Sequence, residues 1–290
     1  MVSHTALVVA AFLVCWQLAH AAEGTKERPE PPPDTVPSLE QANPPVSCIG
    51  CDQPFDTSTH KQVLEGLANN PYLAELRKAL YQQDIIHQFE SKAHFDNCDF
   101  DSATTYVTSL LDEASSYVER AQKAKDVGDL AKMKDAAASA FFSIGQALHA
   151  VQDFYAHTNY VEMRAPKARK VTDIEVIAPW KPKGRDRIKE LRKEGLYSGY
   201  VFWGVPQLCP ADTTSHGDLA KDTATTKSGA KKLPNLQNIN QYKVAVFLAR
   251  EASLGLMEDA FNRWPLLKQL NGKHVAFETF VDRRSIGETH

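Results

Sequence analysis

A helix that is apolar on every side has to be buried, and any ionisable group it carries must then find a partner or a metal. The apolar-periodic segment that starts near Leu130 sets this condition through Phe141, Phe142, Ile144, Leu148, Val151 and Phe154. It closes with Ala147-Leu148-His149-Ala150-Val151-Gln152-Asp153-Phe154-Tyr155-Ala156-His157. At 3.6 residues per turn, His149, Asp153 and His157 lie one above another on a single stripe. The two histidines are about 12 Å apart along the axis at roughly 1.5 Å per residue, too far for one ion to bind both. A carboxylate midway between them, with an oxygen for each of two ions, is what a row of neighbouring metals requires. The plainer alternative is a hydrogen-bonded polar face on a buried helix.

The chain around this segment has 290 residues, 43% hydrophobic and 24% charged, with a formal net charge of −3. That is one sizeable domain with appendages, and the overall charge points to no polyanionic partner. No nucleotide cofactor is expected. Ala6 to Leu18 is an apolar run ending in the small-x-small signal Ala19-His20-Ala21, without the usual lysine or arginine before it. It is too short for a membrane span and reads as a signal peptide over residues 1–22, which makes the protein secreted or periplasmic. Residues 23–47 hold Pro29, Pro31, Pro32, Pro33, Pro37, Pro44 and Pro45 and read as a linker.

Residues 48–264 read as an all-α, multi-helix bundle with a basic, irregular insertion at 164–237, followed by a C-terminal tail at 265–290. Thr57-Ser58-Thr59 offers caps for a helix carrying His60, Val63, Leu64 and Leu67. A second helix starts near Pro71 and fails near Asp84, and residues 85–97 read as loop. Asp101 is expected to cap the next helix, and Gly128-Asp129 to turn it into the central one. A last long helix spans about Gln241 to Trp264.

Residues 164–193 hold eleven Lys/Arg against four Asp/Glu. This is either a solvated insertion or a surface for an anionic lipid or a nucleic-acid backbone. Residues 196–206 are aromatic and suggest a short hairpin or a wall of the site. Past the leader, Cys48, Cys51, Cys98 and Cys209 make an even count in an exported chain, which argues for disulfides of open connectivity. Cys48-Ile-Gly-Cys51 has no second such pair with which to hold zinc.

His60, Asp84, His94, His149, Asp153 and His157, with His216 or with His274 and Glu278, form a set of nitrogen and oxygen donors without a reactive thiol. Such a set suits zinc in an oxidising compartment. Their order, a histidine near the mature N-terminus, Asp…His-Phe-x-Asp, His-x-x-x-Asp-…-His on a helix and a late histidine, resembles the zinc-dependent phospholipase C and single-strand nuclease superfamily. Within it, His94-Phe95-Asp96-Asn97, residues 147–159 and His216-Gly217-Asp218-Leu219-Ala220-Lys221-Asp222 look most like the Het-C heterokaryon-incompatibility domain. The similarity covers roughly residues 55–160 and, more loosely, 205–260.

The resemblance implies two to three clustered zinc ions. Asp84, His94, His149 and Asp153 would hold the first, and His60 would share Asp153 on another. His157 would help hold the third, with His216 favoured over His274 and Glu278. Asp84 would also orient the attacking water. This chain departs from the phospholipases in several places. Gly50 stands about ten residues before His60, where the family uses an N-terminal tryptophan as a ligand. Asp153 and His157 are four residues apart instead of six, and His216 has no carboxylate four residues on.

The expected function is an exported zinc-dependent phosphodiester hydrolase, phospholipase C-like, acting on phospholipids or a membrane surface, with Trp180 and Trp203 as exposed aromatics at the interface. The alternatives are a single-strand nuclease or a Het-C-like membrane-acting toxicity or interaction protein with little or no turnover.

Overall fold

The computed structural model describes residues 57–281, apart from 203, 205, 275, 276 and 280. The expected signal peptide, the linker, Cys48, Cys51, Gly50 and Trp203 lie outside the described residues.

The frame is a pair of long helices, α4 (Phe100–Asp126) and α5 (Leu130–His157), turned back on each other at Gly128. Gly128 sits at φ +77°, a conformation that costs a residue with a Cβ about 1–2 kcal/mol. Asp129 starts α5 by accepting a hydrogen bond from the Lys132 amide at 3.0 Å. Asp99, not Asp101, caps α4, accepting from the Ser102 amide at 3.3 Å. The reason lies upstream, where Asn97 and Cys98 both adopt positive φ and deliver Asp99 to the cap position.

The first turns of α5 are amphipathic. From Ser143 to His157 every residue is buried, as its all-round apolar sequence requires. Around this half pack α4, α2 (Tyr72–Ile86) and α9 (Gln241–Arg263). Gly145 allows α2 to approach closely, since a Cβ there would stand 2.7 Å from Ala79 Cβ and 2.9 Å from the Leu76 carbonyl oxygen. Phe141 stacks on Tyr72, and Phe154 meets Phe95 edge-on at 5.4 Å. Truncating a side chain as enclosed as Leu148 to alanine costs about 2–5 kcal/mol.

Shorter pieces close the ends. They are α1 (Thr57–Leu64), α3 (Ser91–His94), α6 (Tyr160–Arg164), α7 (Pro182–Lys193), α8 (His216–Leu219) and α10 (Pro265–Asn271). Residues 85–97 are therefore not all loop, because α2 runs on to Ile86 and α3 follows. The tail begins as structure too, with Leu267 of α10 fully buried. Among the described residues the sheet content is one antiparallel pair, Lys232–Leu233 with Ile239–Asn240. Among the described residues of 196–206, Ser198 and Tyr200 form isolated bridges, to Thr158 and Ser215, and no hairpin is seen.

The basic stretch is ordered by pairing. Arg187 reaches Glu175, Glu190 and Glu194 at 2.9–3.1 Å, and Lys181 reaches Asp259 at 2.6 Å. Arg192 faces Asp101 and Lys189 faces Asp186. Trp180 is half-buried and donates to Asp259 at 2.8 Å, so it is a packing residue rather than an exposed aromatic. Tyr155 and Tyr160 bind the backbone of Ile177 and Glu175, which holds residues 174–178 against the core. Cys98 and Cys209 form a disulfide between the turn before α4 and the segment that leads to α8. No helix among the described residues is long and apolar enough to cross a membrane.

Candidate metal centre

The stripe on α5 meets donors from six other places. His60 comes from α1, Asp84 from the last turn of α2, His94 from the end of α3, His216 from the start of α8, and Asp96 and Asp222 from the chain just beyond α3 and α8. Three sets place their donor atoms within 4.8 Å of one another: His60, Asp84 and His149; His94, His149 and Asp153; and Asp96, His157 and His216.

Asp153 divides its carboxylate between two of these sets. Oδ1 lies 3.3 Å from His60 Nε2, while Oδ2 lies 2.9 Å from His94 Nδ1 and 3.0 Å from His149 Nε2. The far nitrogens fix which near atoms carry lone pairs. His60 Nδ1 donates to Gln152 Oε1 at 2.6 Å. The amide orientation of Gln152 is set in turn by Ser253, which accepts from its Nε2 at 3.1 Å and donates to the Ala249 carbonyl. His94 Nε2 donates to the His87 carbonyl at 3.2 Å, so its Nδ1 faces inward, 3.3 Å from His149 Nε2. Imidazole lone pairs and a carboxylate converging at such distances repel unless a proton or a cation lies between them. Asp84 Oδ1 completes this end, 3.5 Å from His149 Nε2.

Two donor sets compete at the other end of the stripe. One joins Asp96 to Nδ1 of His157 and of His216, at 3.9 and 2.9 Å. The other joins Asp222 to Nε2 of the same histidines, at 3.3 and 4.0 Å. The first set meets the 4.8 Å limit above and Asp222 lies in none of the three, but the ring orientation of His157 favours the second. His157 Nδ1 already donates to the His94 carbonyl at 2.9 Å, which leaves its Nε2 as the inward atom. Asp96 bound to His216 Nδ1 then acts as the partner that orients a ligand imidazole. Asp222 is fully buried, and neither of its oxygens has a hydrogen-bond partner among the described residues.

Electrostatics agree with this picture. Burial opposes charge on His157, yet Asp153, Asp96 and Asp222 outweigh it and hold the imidazole pKa well above its ordinary value. Burial likewise opposes charge on His60 and His94, and Asp153 overcomes it in both, raising each. His149 goes the other way, lowered by burial. Burial pushes Asp153 up, but His149, His157 and His60 pull it well below the usual carboxylate range. The surrounding acids thus favour the protonated form of His60, His94 and His157.

Four carboxylates (Asp84, Asp96, Asp153 and Asp222) gather with five imidazoles, a formal charge of −4 when the imidazoles are neutral, which two divalent cations would cancel. Orphaned buried atoms at Asp84 Oδ2, Asp153 Oδ1, His157 Nε2 and both oxygens of Asp222 fit the same occupancy. These donors can hold metal ions.

Each sequence-expected donor on the stripe and around it, His60, Asp84, His94, His149, Asp153, His157 and His216, is brought together. His274 and Glu278 belong to none of the donor sets. They follow α10, where Phe277 packs edge-on against Phe261 near the C-terminal end of α9. Asp222 was missed as a ligand. It lies six residues past His216 instead of four, because α8 stops at Leu219 and the chain turns extended at Ala220. Comparison with protein-family models, with curated proteins and with solved structures finds no match, so the reading of this centre rests on its geometry.

Proposed function

We propose that the chain is an exported zinc-dependent phosphodiester hydrolase of the phospholipase C type, built on a helical frame like that superfamily's and closest to its Het-C branch. The observation that carries this reading is the divided carboxylate of Asp153, which serves imidazoles on both sides. Nitrogen and oxygen donors without thiolate suit zinc. Asp84, His94, His149 and Asp153 would hold one ion, His60 and Asp153 a neighbouring one, and His157, His216 and Asp222 a third. The bound ions would polarise a phosphoryl oxygen and make water a nucleophile near neutral pH.

The chain's own residues supply the rest. Asp84 is the least enclosed acid at the Asp153 end, its side chain 9% exposed, and its Oδ2 is without a hydrogen-bond partner among the described residues. It is therefore placed to accept a proton from, and to orient, an attacking water. Gln152 and Asp96 fix the rings of His60 and His216 through their outer nitrogens. The Cys98–Cys209 disulfide supports an oxidising compartment and so export.

The test is elemental analysis of protein purified without chelator, with a chromogenic phosphodiester choline ester assayed in the same preparation. About two to three zinc per chain with turnover is the expected result. Zinc without turnover would favour a Het-C-like interaction or toxicity protein. Absence of metal would leave the stripe as a buried polar face.

A further inference from the structure

The metal centre is sealed on most sides and open on one. His60, His149, Asp153 and Asp222 are 0–1% exposed, whereas the side chains of Asp84, His94 and His216 reach 9%, 9% and 13%. The mouth therefore lies on the side of the last three. Two segments border it. Residues 85–90 leave Asp84 and pass over His94, where the His87 carbonyl sits on Nε2. Residues 197–215 lead into His216, whose amide donates to the Tyr200 carbonyl at 2.9 Å.

These two segments carry most of the large apolar side chains that the described surface exposes. Ile86 and Phe89 are 62% and 60% exposed, and Tyr200, Phe202 and Leu208 are 40%, 82% and 53% exposed. The second segment is tied to the turn before α4. Asn97 Oδ1 accepts from the Val201 amide at 2.7 Å, its Nδ2 donates to Ser91 Oγ at 2.8 Å, and its carbonyl accepts from the Leu208 amide at 3.0 Å. Gly204 lies so close to Asn97 and Ser91 that no Cβ fits there.

Neither bordering segment, 85–90 or 197–215, contains a lysine or arginine. Residues 195–211 contain no Asp, Glu, Lys or Arg. On the other segment Glu90 pairs with Lys92 at 3.0 Å and with His87 at 2.8 Å. A nucleic-acid groove needs lysines and arginines along the backbone path, and this mouth offers none on its longer edge. Large apolar side chains exposed on segments that border a site mark an interaction surface, and a rim without cations suits an electrically neutral lipid layer better than a polyanion.

We infer that Ile86, Phe89, Tyr200, Phe202 and Leu208 form a collar that seats the mouth of the metal centre on a zwitterionic phospholipid surface. The inference deepens the phosphodiesterase reading and rests on it for the substrate class, a phosphodiester presented at a lipid–water interface. Membrane contact is thereby assigned to the mouth rather than to the basic stretch at 164–193, where Arg164, Lys181, Arg187, Lys189 and Arg192 are ion-paired.

The test is cosedimentation of the metal-loaded protein with phosphatidylcholine vesicles, for the wild type, for Phe89→Ser/Phe202→Ser and for Leu208→Ser. Melting temperature serves as the control for folding. We expect the wild type to pellet with vesicles and the double variant to bind about tenfold more weakly at an unchanged melting temperature. The inference is overturned if the wild type stays in the supernatant, or if both variants bind as it does. It is also overturned if single-stranded DNA is bound in preference to vesicles, or if the collar proves to be a dimer contact that the substitutions split. Hydrolysis of a soluble phosphodiester by the wild type is measured separately. Collar-dependent vesicle binding without that hydrolysis would sink the phosphodiesterase reading and leave the docking surface standing.

Discussion

Lys221 and Asp222 are neighbours in sequence, both fully buried, and each serves a different part of the structure. Lys221 Nζ donates to the carbonyls of Thr158 and Leu219 at 2.9 and 3.0 Å and to Glu162 at 3.2 Å, while Asp222 faces His157. Burial pulls the lysine pKa down, yet these three oxygens hold the cation in place. The lysine anchors the strand of chain that brings Asp222 to the metal centre.

Replacing Lys221 with methionine therefore leaves Glu162 short of its cation and frees that anchor. Glu162 retains some exposure, so the expected loss is about 2–3 kcal/mol, at the low end for a broken buried pair. Urea unfolding measures it. The same variant should bind less zinc at the His157 end, and a normal zinc content would show that Asp222 holds its place without the lysine.

Asp153→Asn should lose more metal than any single histidine substitution, because it withdraws charge from imidazoles on both of its sides. Elemental analysis of Asp153→Asn beside His60→Ala decides the matter. Equal losses would mean that the carboxylate does not bridge.

The pH dependence has a definite sign. His60, His94 and His157 have raised pKa values in the metal-free fold. Their contribution to stability is fully present below the unfolded imidazole value of about 6.5 and fades as pH rises through the raised folded values. Zinc must displace those protons. The rise in melting temperature on adding zinc should therefore grow as pH increases above about 6.5, and calorimetry in buffers of different ionisation enthalpy should show proton release. His149, lowered by burial, adds no proton to that count. A zinc-induced shift that is flat across this range would contradict the scheme.

The disulfide joins the turn after Asp96 to the segment before His216. Converting Cys98 and Cys209 to serine should destabilise the protein by about 2–4 kcal/mol, the range for closing a long loop. Metal bound by His216 and Asp222 should be lost before metal bound around Asp153. Thermal melts with metal analysis after dialysis would record both, and uniform loss across the centre would show that the disulfide does not act locally.

The sequence made the centre of the fold legible where one helix carried the information. The all-round apolar run through Phe154 required burial, and the i, i+4 stripe required that His149, Asp153 and His157 share a face. The turn at Gly128-Asp129 was equally plain. Less could be read where position depends on distant partners. Asp99 and Asp101 are both suitable caps, and the positive φ of Cys98 that selects Asp99 leaves no periodic trace. The four-residue helix at Ser91–His94 is too short to show a pattern. Trp180 looks like an interfacial aromatic until Asp259 takes its indole N–H. The cations of residues 164–193 read as a charged face until Glu175, Glu194, Asp101 and Asp259 are seen opposite them. Asp222 falls outside the i, i+4 spacing because the helix at His216 stops at Leu219 and the chain turns extended.

The centre draws on two kinds of connection. His149, Asp153 and His157 stand on a helical hairpin whose contacts are local in sequence, while His60, His216 and Asp222 arrive from positions distant in the chain. Local contacts assemble early in folding and distant ones close late. An ion spanning both sets would act as a latch, fastened late in folding. Bound zinc should therefore lengthen the lifetime of the native protein by slowing its unfolding, while the refolding rate stays nearly the same.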